Sequence, residues 1–251
     1  MPDNPLFEYL LRLGDDRLVL GHRLAEWCGH GPILEEDIAL SNISLDFIGQ
    51  ANLLLGLAGT VESKGRDADA LAYLRDGVDF RNHPLVEQPN GDYAFTITRS
   101  FLFDAYDYLL TQALQQSTNG ELAGIAAKAV KEAAYHLRHS SEWLVRFGDG
   151  TEESHRRAQE ALDALWRWTG TLFTADETDQ ALTASGIVPD PSALEPAWRA
   201  MVTEVVARGT LTLPPPPPTG RGYRRGDHTE YLGHLLAEMQ ILPRSHPGAS
   251  W

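Results

Sequence analysis

Residues Glu121–Phe147 read ELAGIAAKAVKEAAYHLRHSSEWLVRF. Leu122, Ala126, Ala129, Ala133 and Leu144 recur at the spacing of an amphipathic helix with one buried stripe. His136 and Ser140 lie in the same stripe. A polar group on the buried face of a helix is hydrogen-bonded or carries a function. This segment therefore predicts a helix packed inside a bundle, with an imidazole turned inward.

The same period runs through the flanking sequence. Long helices are predicted over Pro5–Cys28, Leu34–Glu62, Ala94–Ser117 and Glu121–Phe147, and a fifth over Glu153–Phe173. Shorter ones are predicted over Ala68–Arg75, Glu177–Ala184 and Pro191–Ala207. Gly29 with Gly31-Pro32, Pro89-Asn90-Gly91, Asn119-Gly120 and Gly148-Asp149-Gly150 supply the stops. Glu35, Glu36 and Asp37 suit the positive end of the second helix. Pro214–Pro218 makes a stiff extended connector. Asp227-His228-Thr229-Glu230 is expected to form a capping box that opens a last helix to Leu242. Alternating strand patterns are absent, so the fold class is all-α. About 30 residues separate the second and third long helices, room for the crossover of a ferritin-like four-helix bundle. Residues 1–251 read as a single ferritin-like helical domain, with additional shorter C-terminal helices.

Composition narrows the function. Of 251 residues, 43% are hydrophobic and 22% charged, enough for a sizeable core. A net charge of −14 argues against nucleic acid and anionic membrane surfaces, which need clustered Lys and Arg. The one cysteine, Cys28, excludes an internal disulfide and a Cys-based zinc motif. No signal-peptide pattern and no run of 18 apolar residues is evident, so a cytoplasmic location is expected.

Three inward stripes carry a polar residue at mid-helix: Gln50 among Leu40, Ile43, Phe47, Leu54 and Leu57; Asp104 among Ile97, Phe101 and Tyr108; and His136. The first helix gives Leu6, Leu10, Leu13, Arg17, Leu20 and Leu24. Each polar residue alone reads as a satisfied core group. Together with LRLGDDRLVLGHRLAEWCGHGP, EEDIALSNISLDFIGQA, VEQPNGDYA, KAVKEAAYHLRHSSEWL and HTEYLGHLLAEMQ, they make the chain resemble the C subunits of bacterial ring-1,2-phenylacetyl-CoA epoxidases, or phenylacetate-CoA oxygenases. The likeness covers nearly the whole chain.

The resemblance implies a ferritin-like subunit that is not catalytic alone, in an NADPH-dependent monooxygenase complex of aerobic phenylacetate degradation. The di-iron cofactor belongs to a partner, the catalytic A subunit. By likeness to the ligand segments of that partner, Phe47 stands at a glutamate position and Gln50 at a histidine position. Ala133 stands at the other glutamate and His136 at its histidine. Asp104 takes the third-helix carboxylate position, and the first-helix ligand falls near Arg17. No catalytic, cofactor or metal residue is then expected in this chain. Asp104, His136 and Gln50, with Arg17 as a fourth member, are predicted to form a polar cluster where the metal stood.

Other readings stand beside this one. An active di-iron oxidoreductase would need Glu132, next to Ala133, to rotate by about 100°. A new metal site from Glu132, His136 and His139, which share one helix face, is a further alternative, although such a single-helix group is usually just a solvated face. His234 with Glu238 reads as an ordinary i, i+4 pair. A stand-alone ferritin-like binding protein and self-association also stay open. Trp168 lies beside the fifth-helix stripe of Ala158, Leu162, Leu165, Trp166, Thr169 and Leu172, and is either packed within the chain or an interface anchor.

Overall fold

The structure, a computed structural model, describes residues 4–217 and 224–249. Among them are ten α-helices and no strand: α1 (Pro5–Ala25), α2 (Leu34–Glu62), α3 (Ala68–Tyr73), α4 (Pro84–Glu87), α5 (Tyr93–Leu114), α6 (Gly120–Gly148), α7 (Glu152–Trp166), α8 (Glu177–Ala184), α9 (Pro191–Arg208) and α10 (Glu230–Ser245). The four long helices α1, α2, α5 and α6 are those of an all-α, ferritin-like fold. Where the sequence pattern reads as one domain, internal contacts group the chain into two compact units. One runs to Gln88 and takes in the C-terminal segment with α10; the other spans 89–222 and holds α5–α9.

In the first unit α1 and α2 form an antiparallel hairpin. Its close approach depends on two glycines a heptad apart. A Cβ on Gly14 would meet Leu55 at 2.7 Å, and one on Gly21 would meet Ile48 at 2.9 Å. Ser44 Oγ seals the second contact by donating to the Gly21 carbonyl at 2.7 Å. The α2 stripe from Leu40 to Leu57 is buried, as its period predicts. α2 is also long and apolar enough to cross a membrane by length and composition, because its outer face adds exposed Leu34, Ile38, Leu45 and Leu53 to that stripe.

α1 stops at Ala25, short of Cys28, because tighter turns take over: the Cys28 N–H donates to Ala25 O and His30 N–H to Trp27 O. The last helix begins at Glu230 with Thr229 as N-cap, and the expected box at Asp227 does not form. Glu87 is the reason. Its carboxylate accepts the Thr229 N–H and faces His228 Nδ1 at 2.9 Å, so a distant glutamate takes the part that the sequence pattern gives to Glu230.

The second unit is built on the α5–α6 hairpin. Every residue of the α6 stripe named above is buried. α5 is buried over most of its circumference, although Tyr108 is only half-buried. α7 ends at Trp166, earlier than the expected Phe173, because Thr169 Oγ donates back to the Trp166 carbonyl at 2.8 Å. True capping boxes open α7 (Thr151, Ser154) and α8 (Asp176, Asp179). Trp198 of α9, 1% exposed, stacks on Trp166 at 5.7 Å and donates its indole N–H to Leu102 O. Trp166 in turn donates to Pro215 O at 2.9 Å, which ties the proline connector down. Pro218, its last member, lies outside the described residues.

Candidate functional site

Each unit assembles its own pair of the residues singled out in the sequence. In the first, Arg17 Nε donates to Gln50 Oε1 at 2.8 Å, and Arg17 Nη1 to Leu13 O at 3.1 Å. Both side chains are buried at 3% exposure. Phe47, one turn before Gln50, is completely buried.

In the second unit Asp104 and His136 are 3% and 1% exposed. The sequence pattern offers His136 or the Gln50 amide as the partner of Asp104. It accepts a hydrogen bond from Ser140, one turn after His136, at 2.7 Å. Asp104 Oδ1 is buried without a hydrogen bond. Burial pushes the Asp104 carboxyl up to about 7, against the pull of the His136 charge and the Ser140 hydroxyl; Asp107 adds to the rise and Arg99 opposes it. Ser140 Oγ also lies 3.0 Å from the His136 carbonyl. One hydroxyl proton cannot serve both acceptors. With Asp104 ionised, Ser140 donates to it; with Asp104 protonated, the acid can donate to Ser140, which turns to the carbonyl.

Ala133, one turn before His136 on α6, is 1% exposed. Phe47 and Ala133 have no lone pair to offer a metal. A di-iron centre relies on glutamates from the helix pairs to bridge and neutralise it. The donors at these positions, one carboxylate, one imidazole, one amide and one guanidinium, do not fit that centre. Glu132 and His139 are half-buried, off the stripe.

The sequence model of the family described as "Phenylacetic acid catabolic protein" matches residues 1–251. The chain belongs to that family. It is 49% identical over 248 residues to the C subunit of the 1,2-phenylacetyl-CoA epoxidase of Escherichia coli (strain K12), covering 99% of this chain and 100% of the relative.

This member of the phenylacetic acid catabolic family also holds a charge network that local sequence patterns do not reveal. Asp15 and Asp16 lie in the middle of α1 and are 0% and 1% exposed. Arg75 clamps Asp15 with both terminal nitrogens, and the Arg81 N–H adds a third bond at 2.8 Å. Asp16 pairs with Arg224 at 3.2 Å and accepts the His83 N–H at 2.6 Å. Burial still raises the Asp16 carboxyl above its ordinary range, and burial holds the His83 imidazole well below its own. The signal is present in LRLGDDRL: three adjacent charges in the middle of a helix, flanked by leucines. The partners of the two aspartates lie some sixty or two hundred positions away, so no local pattern names them.

Trp168 caps a short 3-10 turn at Thr169–Thr171, half-buried, with the Arg167 guanidinium 4.9 Å over its ring. Trp166, two residues earlier, stacks on Trp198.

Proposed function

We propose that this chain is the non-catalytic C-type subunit of a multicomponent phenylacetyl-CoA 1,2-epoxidase, stabilising and positioning the di-iron A subunit during aerobic phenylacetate degradation. The observation that carries the reading is that Phe47 and Ala133, which the resemblance sets at the two glutamate positions, are buried side chains with no lone pair. A ferritin-like bundle without those carboxylates has the packing of its catalytic relatives and not their chemistry. Its residual polar groups serve the fold: Gln50 receives Arg17, and Ser140 serves Asp104. Two bundles of common ancestry can pair through related faces, as isologous subunits do. The activity, the di-iron cofactor and the draw on NADPH then reside in the partners, in the cytoplasm.

The test is co-purification with metal analysis. The chain should pull down a larger iron-containing subunit. Expressed alone in iron-rich medium, it should hold less than one iron per chain and lack the absorption of a bridged iron pair. Two irons per chain with that absorption would make it an oxidoreductase in its own right; a chain that captures no such partner would be a stand-alone binding protein.

Trp168 supplies a second expected result. Partly exposed and with an arginine stacked on it, it has the make-up of an interface anchor. Trp168→Ala should weaken association with the A subunit about tenfold or more, while thermal unfolding of the free chain moves little. Unchanged association removes Trp168 from the interface.

A further inference from the structure

A six-residue pattern occurs twice in this chain: Gly21-His-Arg-Leu-Ala-Glu26 and Gly233-His-Leu-Leu-Ala-Glu238. In each copy the histidine and glutamate are four apart, so they stand one above the other on one helix face. The first copy closes α1 and the second lies within α10. Both belong to the same compact unit, and both face one pocket of about 370 Å³, whose walls include His22, Glu26, His234 and Glu238. Two i, i+4 pairs more than two hundred residues apart thus meet across one small space.

The unit holds these two faces opposite each other. Arg23, within the first copy, donates Nη2 to Tyr231 O at 3.0 Å, at the start of α10, and to Glu87 O at 3.0 Å. Its Nη1 bonds Glu26 at 2.8 Å. His22 is the unsettled member. Its Nε2 is buried and has no hydrogen-bond partner, in a protein interior where such atoms are ordinarily satisfied. An unsatisfied imidazole nitrogen, two carboxylates and a second imidazole around one pocket are the donor set of a borderline divalent metal.

We propose that His22, His234 and Glu238 bind one divalent transition-metal ion of the zinc class, bridging α1 and α10, with Glu26 adding negative charge beside it. Among the described residues no three His, Cys, Asp or Glu side chains already stand close enough to hold an ion. Binding therefore turns His234 and Glu238, both exposed, in toward His22. Two imidazoles and one carboxylate leave the fourth position of a tetrahedral ion to water. The site uses none of the ligand positions of the ferritin-like centre, and it stands whether or not the chain is an epoxidase subunit. The ion would act as a clasp between the N-terminal hairpin and the C-terminal helix.

The experiment is titration of the full-length, chelator-stripped chain with Zn²⁺ alone, by calorimetry and by equilibrium dialysis. One Zn²⁺ per chain is expected, with slower amide exchange in α10 when it is bound. His234→Ala and Glu238→Gln, both at exposed positions that the fold tolerates, should each weaken binding at least tenfold. His22→Gln should do the same, and far-UV circular dichroism checks its folding. No uptake of Zn²⁺ overturns the proposal. So does uptake that His234→Ala and Glu238→Gln leave unchanged, which would place the ion on other exposed histidines such as His30 or His246.

Discussion

Replacing Arg75 with methionine is expected to destabilise the first unit by about 3–5 kcal/mol. Arg75 is 4% exposed and its guanidinium makes four hydrogen bonds. Nε donates to Leu71 O, Nη1 to Asp79 O at 2.9 Å and to Asp15 at 3.0 Å, Nη2 to the other Asp15 oxygen, and the plane lies 4.3 Å over the Phe80 ring. Methionine fills most of the volume and removes the charge. Asp15, fully buried, then keeps only the Arg81 N–H. An uncompensated buried carboxylate is costlier than the lost pair was favourable, because its desolvation is no longer offset. The double variant Asp15→Leu with Arg75→Met should therefore recover a good part of the loss. Urea unfolding followed by amide exchange in α1 and α3 reads both. A single variant that costs under about 1 kcal/mol, as an exposed ion pair would, means that water reaches Asp15.

The contrast between α6 and α1 shows what the sequence could and could not tell. α6 is solvated on one side, so its burial follows the 3.6-residue period, and the stripe from Leu122 to Leu144 could be read residue by residue. α1 and α5 are covered on nearly all sides, and periodicity carries no information about a helix that has no outside. There the charged residues mislead. Asp15 and Asp16 are core groups, because Arg75, Arg81, His83 and Arg224 come from distant segments to meet them. The same holds at α10. Asp227 and Glu230 have the local pattern of a capping box, but the fully buried Glu87 takes the Thr229 N–H first, and the helix starts two residues late.

The candidate site divides along the same line. That Gln50, Asp104 and His136 point inward follows from their stripes, and all three are buried. That Arg17 reaches Gln50 was within reach, since both lie mid-helix on neighbouring stripes. That Ser140 would serve Asp104 was not: it is a small residue in the stripe, and its hydroxyl donates to the carboxylate at 2.7 Å.

Asp104→Asn is expected to stabilise the chain at alkaline pH and to give nothing at acid pH. The Asp104 carboxyl is raised from 3.8 to about 7, chiefly by burial. A group whose folded value lies above its unfolded value binds its proton more tightly in the fold. Its contribution is fully present below the unfolded value, near pH 4, and is lost as pH rises through about 7. A shift of about three units corresponds to on the order of 4 kcal/mol at most, since each unit is about 1.4 kcal/mol. Asparagine keeps an acceptor for Ser140 and has no charge to desolvate. At pH 8 it should therefore exceed the wild type by about 1–4 kcal/mol, and the two should converge toward pH 4. Asp104→Ala removes the acceptor as well and should be destabilised by about 1–3 kcal/mol at acid pH, where the wild-type acid is neutral and bonded. Urea midpoints from pH 4 to 8 give all three curves; parallel curves for asparagine and aspartate would mean that Asp104 stays ionised, with a cation beside it. The same variants bear on function. In a reconstituted epoxidase, turnover should follow assembly and nothing else. A complex of Asp104→Asn that assembles normally and turns over slowly would give this buried acid a chemical task, and the chain could no longer be held to be a silent partner.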